Sequence, residues 1–119
     1  MKKPSKITLR NKLDKIVSEI VRSRAKCQMC GRENNLQCCH IFSRTYNNTR
    51  WSLDNLLCLC ASCHFFTHKN PVLFGDFVRT ILGKEKYELL KEARNQITQF
   101  TIEDLQIKYQ ALKEIAEAK

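Results

Sequence analysis

Two cysteine pairs share one spacing, Cys27-Gln-Met-Cys30-Gly31 and Cys60-Ala-Ser-Cys63. Each sets two thiolates on a tight turn, and the glycine after the first pair lets that turn fold its amides towards sulfur. Four thiolates meet the tetrahedral demand of Zn²⁺, and closing the 29-residue loop between the pairs would stabilise a stretch poor in regular structure. The plainer alternative is a set of buried free thiols. Cys58 alternates with Leu57 and Leu59, and either packs or competes with Cys60 for the metal. Cys38 and Cys39 precede His40, and one of them faces the core as a small hydrophobe. Seven cysteines, an odd number, fit poorly with a closed disulfide framework and better with thiolate ligands in a reducing compartment.

The three histidines, His40, His64 and His68, lie in the cysteine-rich half or just after it. His64 and His68 are four apart, which puts both imidazoles on one helical face and within reach of one ion. His64 follows Cys63 directly, so a zinc site would fix where that helix begins. Taken singly, each histidine reads as well as a surface or satisfied core residue. Together on a zinc-clipped frame they suggest chemistry.

The elements that must position these groups follow from periodicity. Leu9, Leu13, Ile16 and Ile20 form one face of an N-terminal helix, with Lys12, Lys15 and Arg22 elsewhere around it. That helix either docks on the core with a solvated basic face or also lies along nucleic-acid phosphates. Leu36–Phe42 reads as a short strand, and residues 43–49 as a polar loop. Asn70-Pro71 predicts a helix start with Asn70 as the cap, Phe74, Phe77, Val78 and Ile81 as its apolar face and Gly83 as its exit. Further helices are expected over 84–97 and 102–118. In the last, Thr101 and Asp104 make a capping box, and Leu105, Tyr109, Leu112 and Ala116 form the stripe.

With 119 residues the chain suits one domain, read as a basic helical arm (1–26), a zinc-stabilised core (27–70) and C-terminal helices (71–119). No apolar run is long enough for a membrane span or follows the basic N-terminus as a signal would, so no membrane partner and a cytoplasmic location are expected. The formal charge of +9 predicts a polyanionic partner. Nine basic residues against two acidic ones fall within 1–26, which concentrates that charge at the N-terminus.

The order Cys27-x-x-Cys30, His40, Asn55, Cys60-x-x-Cys63-His64 resembles the HNH endonucleases, particularly small phage-type members with a four-cysteine zinc. Leu36-Gln-Cys-Cys-His-Ile-Phe-Ser-Arg44 and Thr49-Arg-Trp-Ser-Leu-Asp-Asn55 carry most of the likeness, which covers a little over a third of the chain. Part of it is also similar to the lambdoid phage NinG (Rap) recombination proteins. The resemblance implies an α+β fold, mostly helical, around a ββα-metal core. It implies DNA as partner, phosphodiester hydrolysis leaving 5′-phosphate and 3′-hydroxyl ends, and a phage or prophage origin in a bacterial cell. By the same carry-over His40 is the general base, Asn55 holds the loop or orients His40, and His64 and His68 ligate a catalytic Mg²⁺, Mn²⁺ or other divalent ion.

One departure stands out. Cys39 occupies the position before the base, where many HNH nucleases carry a metal-ligating Asp or His. A thiolate is a poor partner for Mg²⁺, so either the two histidines hold the ion with water and phosphate, or Cys39 joins and selects a transition metal. Arg44 and Arg50 flank the presumed site and are expected to contact phosphate, with Lys12, Lys15 and Arg22 as further DNA contacts. Trp51 is expected as a core anchor. The rival readings are a non-catalytic DNA-binding or recombination factor on the same zinc frame, and a zinc-knuckle interaction module. The active unit is read as a monomer or homodimer.

Overall fold

The computed structural model describes residues 4–118, so the two ends of the expected arm and C-terminal segment lie outside the described residues. The chain is mostly helical with one small sheet: α1 (Lys6–Arg22), β1 (Leu36–His40), α2 (Asn47–Arg50), β2 (Leu56–Cys60), α3 (Ala61–Lys69), α4 (Pro71–Leu82), α5 (Lys84–Asn95) and α6 (Ile102–Glu117). A 3-10 turn over Leu53–Asn55 leads into β2.

The two strands pair antiparallel, from Leu36 opposite Cys60 to His40 opposite Leu56. β2 is buried along its whole length because both faces of the ribbon are covered. On one side Leu56 and Cys58 pack with Leu9, Leu13, Val17 and Val21 of α1, Leu105 and Leu112 of α6, and Trp51. On the other, Leu57 and Leu59 meet Val78 and the half-buried Phe74 and Phe77 of α4. A continuous apolar run in a two-stranded ribbon thus has a simple cause: it is the middle layer of a helix–sheet–helix sandwich.

The expected face of α1 is buried, and Val17 and Val21 widen it, so this helix forms a wall of the core rather than a free arm. The capping box of α6 is present, with Thr101 Oγ1 accepting from the Asp104 amide and Asp104 accepting from the Thr101 amide. Pro71 stands at the first turn of α4 as expected, whereas the Asn70 side chain does not cap it. Asn70 Nδ2 instead donates to Phe66 O, which closes the end of α3. Two helices meet at that residue, and its amide serves the orphan carbonyl behind it.

Candidate metal and imidazole site

The first knuckle is shaped by backbone. Gly31 takes φ +81° and returns its amide to Cys27 O, and the Cys30 amide points at Cys27 Sγ at 3.5 Å. The second knuckle sits where β2 runs into α3. The sulfurs of Cys27, Cys30, Cys60 and Cys63 all lie within 4.8 Å of one another, with Cys30 and Cys60 Sγ at 3.7 Å. A Zn–S bond of about 2.3 Å gives a tetrahedral edge of about 3.8 Å, whereas a disulfide would need about 2 Å. The donors therefore fit zinc.

Their acidities point the same way. Burial works against ionisation of Cys27, but the amides of Cys60, Cys30 and Met29 bring it down to about 6. The Cys63 amide likewise lowers Cys60. Cys63 is pushed up, by burial and then by the neighbouring sulfurs. Thiolates this close need a cation to share. Cys58 stays out of the cluster, fully buried against α1, and Cys38 also faces that side.

The four-sulfur cluster lies at the first turn of α3, the helix that carries His64 and His68 with ring centroids 5.1 Å apart. His64 Nδ1 lies 2.7 Å from Gln37 Oε1 on β1. A carbonyl oxygen only accepts, so the hydrogen is on Nδ1 and Nε2 keeps its lone pair. Burial, and then the neighbouring His68, lowers the His64 pKa, which favours the neutral ring a metal requires. Gln37 escapes sequence reading because nothing local marks it; only β1–α3 packing brings it to His64.

His40 ends β1, and its Nε2 is 3.1 Å from Arg50 O. The carbonyl again assigns the hydrogen, here to Nε2, which leaves Nδ1 as the basic atom. Burial is the main cause of a His40 pKa below 6.5, so the ring is neutral at pH 7. The loop that supplies Arg50 O is held by Asn55, which is fully buried. Its Oδ1 accepts from the Phe42 amide at 2.8 Å, and its Nδ2 donates to Phe42 O and Thr49 O, each at 3.0 Å. Asn55 thus closes the 41–49 loop and sets His40 only through it.

His40, His64 and His68 line one cavity of about 520 Å³, together with Cys39, Ser43 and Arg44 among others. A larger cavity of about 690 Å³ between Asp54 and α5 holds no imidazole or thiol, so it offers no comparable chemistry. Cys39 is a poor candidate ligand: it is buried among apolar side chains, and that burial pushes its thiol up to about 12 despite the Thr67 hydroxyl beside it. No carboxylate lines the cavity. Two imidazoles without a carboxylate fit a divalent transition metal completed by water or phosphate oxygens, and fit Mg²⁺ badly.

The two loop arginines part company. Arg50 binds Asp14 of α1 through two bonds, Nε to Oδ1 at 3.0 Å and a terminal nitrogen to Oδ2 at 2.6 Å, so its guanidinium is engaged within the fold. Its charge is already matched by a half-buried carboxylate. Trp51 is buried as expected, and its indole N–H also donates to Asp14 at 2.8 Å. Arg44 remains exposed at the cavity edge, 3.9 Å from Asp14. On α1, Lys12 lies over the Tyr109 ring at 5.8 Å and Arg22 bonds Ser18 O, while Lys15 is exposed; all three are away from the imidazole cavity's lining.

Residues 27–66 match the family model described as HNH endonuclease, which is the likeness read from the cysteines, His40 and Asn55. The match covers the two knuckles, the ribbon and the first turn of α3, about a third of the chain. It does not extend to the likeness with recombination proteins. No curated protein and no solved structure matches the chain. Among the described residues no helix is long and apolar enough to cross a membrane.

Proposed function

We propose that this chain is a metal-dependent HNH endonuclease that hydrolyses phosphodiester bonds in DNA. The observation that carries the reading is the single cavity onto which His40, His64 and His68 open. His40 takes the proton of the attacking water at Nδ1, its ring held by the Nε2–H bond to Arg50 O. His64, with Nδ1 tied to Gln37, and His68 would hold the catalytic ion through their free nitrogens. Bound there, a divalent transition metal would offset charge on the scissile phosphate and stabilise the leaving 3′ oxygen. Arg44 contacts the phosphate at the cavity edge, and Asn55 keeps the loop that carries both arginines in register. Cys27, Cys30, Cys60 and Cys63 hold a structural zinc and do no chemistry.

A second reading has one specific observation in its favour. The third ligand position is a buried, protonated thiol, Cys39, so a DNA-binding factor that keeps the frame without the chemistry would look much the same. Plasmid nicking by the zinc-loaded chain with Mn²⁺ separates the two. The expected result is nicking that falls at least about 100-fold in His40→Ala while duplex binding is retained. Binding without nicking in the parent, across Mn²⁺, Co²⁺ and Ni²⁺, would leave only the second reading.

A further inference from the structure

We propose that Arg94, steadied by Tyr46 and Phe42, forms a second phosphate subsite, which holds the DNA strand beside the scissile bond; this rests on the endonuclease reading above. The turn from Ser43 to Tyr46, closed by the Tyr46 amide on Ser43 O at 3.0 Å, is a wall between two cavities. Ser43 and Arg44 line the imidazole cavity, while Thr45, Tyr46 and Asn47 line a second one of about 280 Å³ whose opposite side is Arg94. A β-turn spans less than about 7 Å between its end Cα atoms, so the two cavities are close neighbours on the surface. A strand seated in the imidazole cavity therefore meets Arg94 on passing over this shared turn.

Arg94 is built to receive an anion. Its guanidinium lies 4.8 Å from the Phe42 ring and 5.5 Å from the Tyr46 ring, which orients it and limits the entropy lost on binding. Nε donates to Asn95 Oδ1 at 3.2 Å, and no carboxylate pairs with it among the described residues. Arg50 and Arg79, by contrast, each have an aspartate. No acidic side chain lines this cavity.

The obvious objection is that Arg94 sits at the C-terminal, electronegative end of α5. Asn48 answers it in part, since its Nδ2 donates to both Ala93 O and Gln96 O at 3.2 Å and so occupies two of the carbonyls at that end. Stacking of a base on Tyr46 is the weaker alternative, because the guanidinium already covers that ring.

The test is the salt dependence of binding to a fluorescein-labelled DNA duplex, in the full chain with zinc and His40→Ala throughout so that the probe stays intact. Arg94→Gln should weaken binding several-fold and reduce the log–log salt slope by about 0.9, the value of one phosphate. Asn95→Asp keeps the aromatic stack but places a carboxylate on Nε, and should reduce the slope similarly. An unchanged slope in both variants overturns the subsite. So does a loss confined to Arg94→Gln, since the effect would then come from the broken stack. Failure of the chain without either substitution to bind the duplex would strike the endonuclease reading itself.

Discussion

At the scale of single residues, the two imidazoles with assigned hydrogens do different work because different carbonyls hold them. Arg50 O fixes the His40 hydrogen on Nε2, and Gln37 Oε1 fixes the His64 hydrogen on Nδ1. The sign of the pH response follows for His40. Catalysis needs the neutral ring, and burial lowers the His40 pKa from 6.5, so the neutral form persists to lower pH than in a free imidazole. The acid limb of single-turnover nicking should therefore have its midpoint below 6.5; a midpoint at or above that value would count against His40 as the base. The histidines were legible in the chain because their chemistry is rare and their spacing local. Gln37 and Arg94 were not, because each acquires its role from a partner 27 residues away in one case and from a loop packed on a distant helix in the other.

At the scale of elements, the loop between the strands is held from both ends. Asn55 ties it to the start of β2, and Asp14 ties it to α1 through Arg50 and Trp51. Helices were readable from apolar spacing and caps, but this tie was not: Asp14 looks like one polar residue on a solvated helix face, and only the docking of α1 turns it towards the loop. Burial opposes its charge, yet the bonds from Arg50 and Trp51 leave the Asp14 pKa below its ordinary 3.8. A depressed carboxylate stabilises the fold above the unfolded pKa and loses that contribution as pH falls through the folded one. Asp14→Asn should accordingly cost about 1–3 kcal/mol at pH 7, since a half-buried Arg50 loses its counter-charge, and should cost much less near pH 2. Urea titrations at both pH values measure it; an equal loss at the two would show that the carboxylate's charge is not what holds the loop. Because Arg50 O also orients His40, the same variant should slow nicking more than it weakens duplex binding.

At the scale of the whole molecule, the ribbon is shared by two apolar clusters of unequal support. The cluster with α1 and α6 is closed by long helices and needs no metal. The other contains Cys27 and Cys60 among its buried members, with Cys63 half-buried beside them, so sulfur replaces hydrocarbon there. The turn 27–31, the end of β2 and the start of α3 converge at those sulfurs, and the first helical turn that carries His64 starts from that junction. The other tie between the turn and β2 is Gln28, whose amide donates to Cys58 O and whose Oε1 accepts from the Cys58 amide. The match at residues 27–66 covers this weaker side, whereas α1 and α6, which lie outside it, supply the other wall. Zinc removal should act unevenly. A strong chelator at neutral pH should release one Zn²⁺ per chain, lower Tm by well over 10 °C, and strip hydrogen-exchange protection from 27–35 and 56–69 before α1 and α6. Cys27→Ser should mimic it. A chain that melts as before after its zinc is gone would mean that apolar packing alone seats α3, and that the four thiols are a passenger on the frame which brings the imidazoles together.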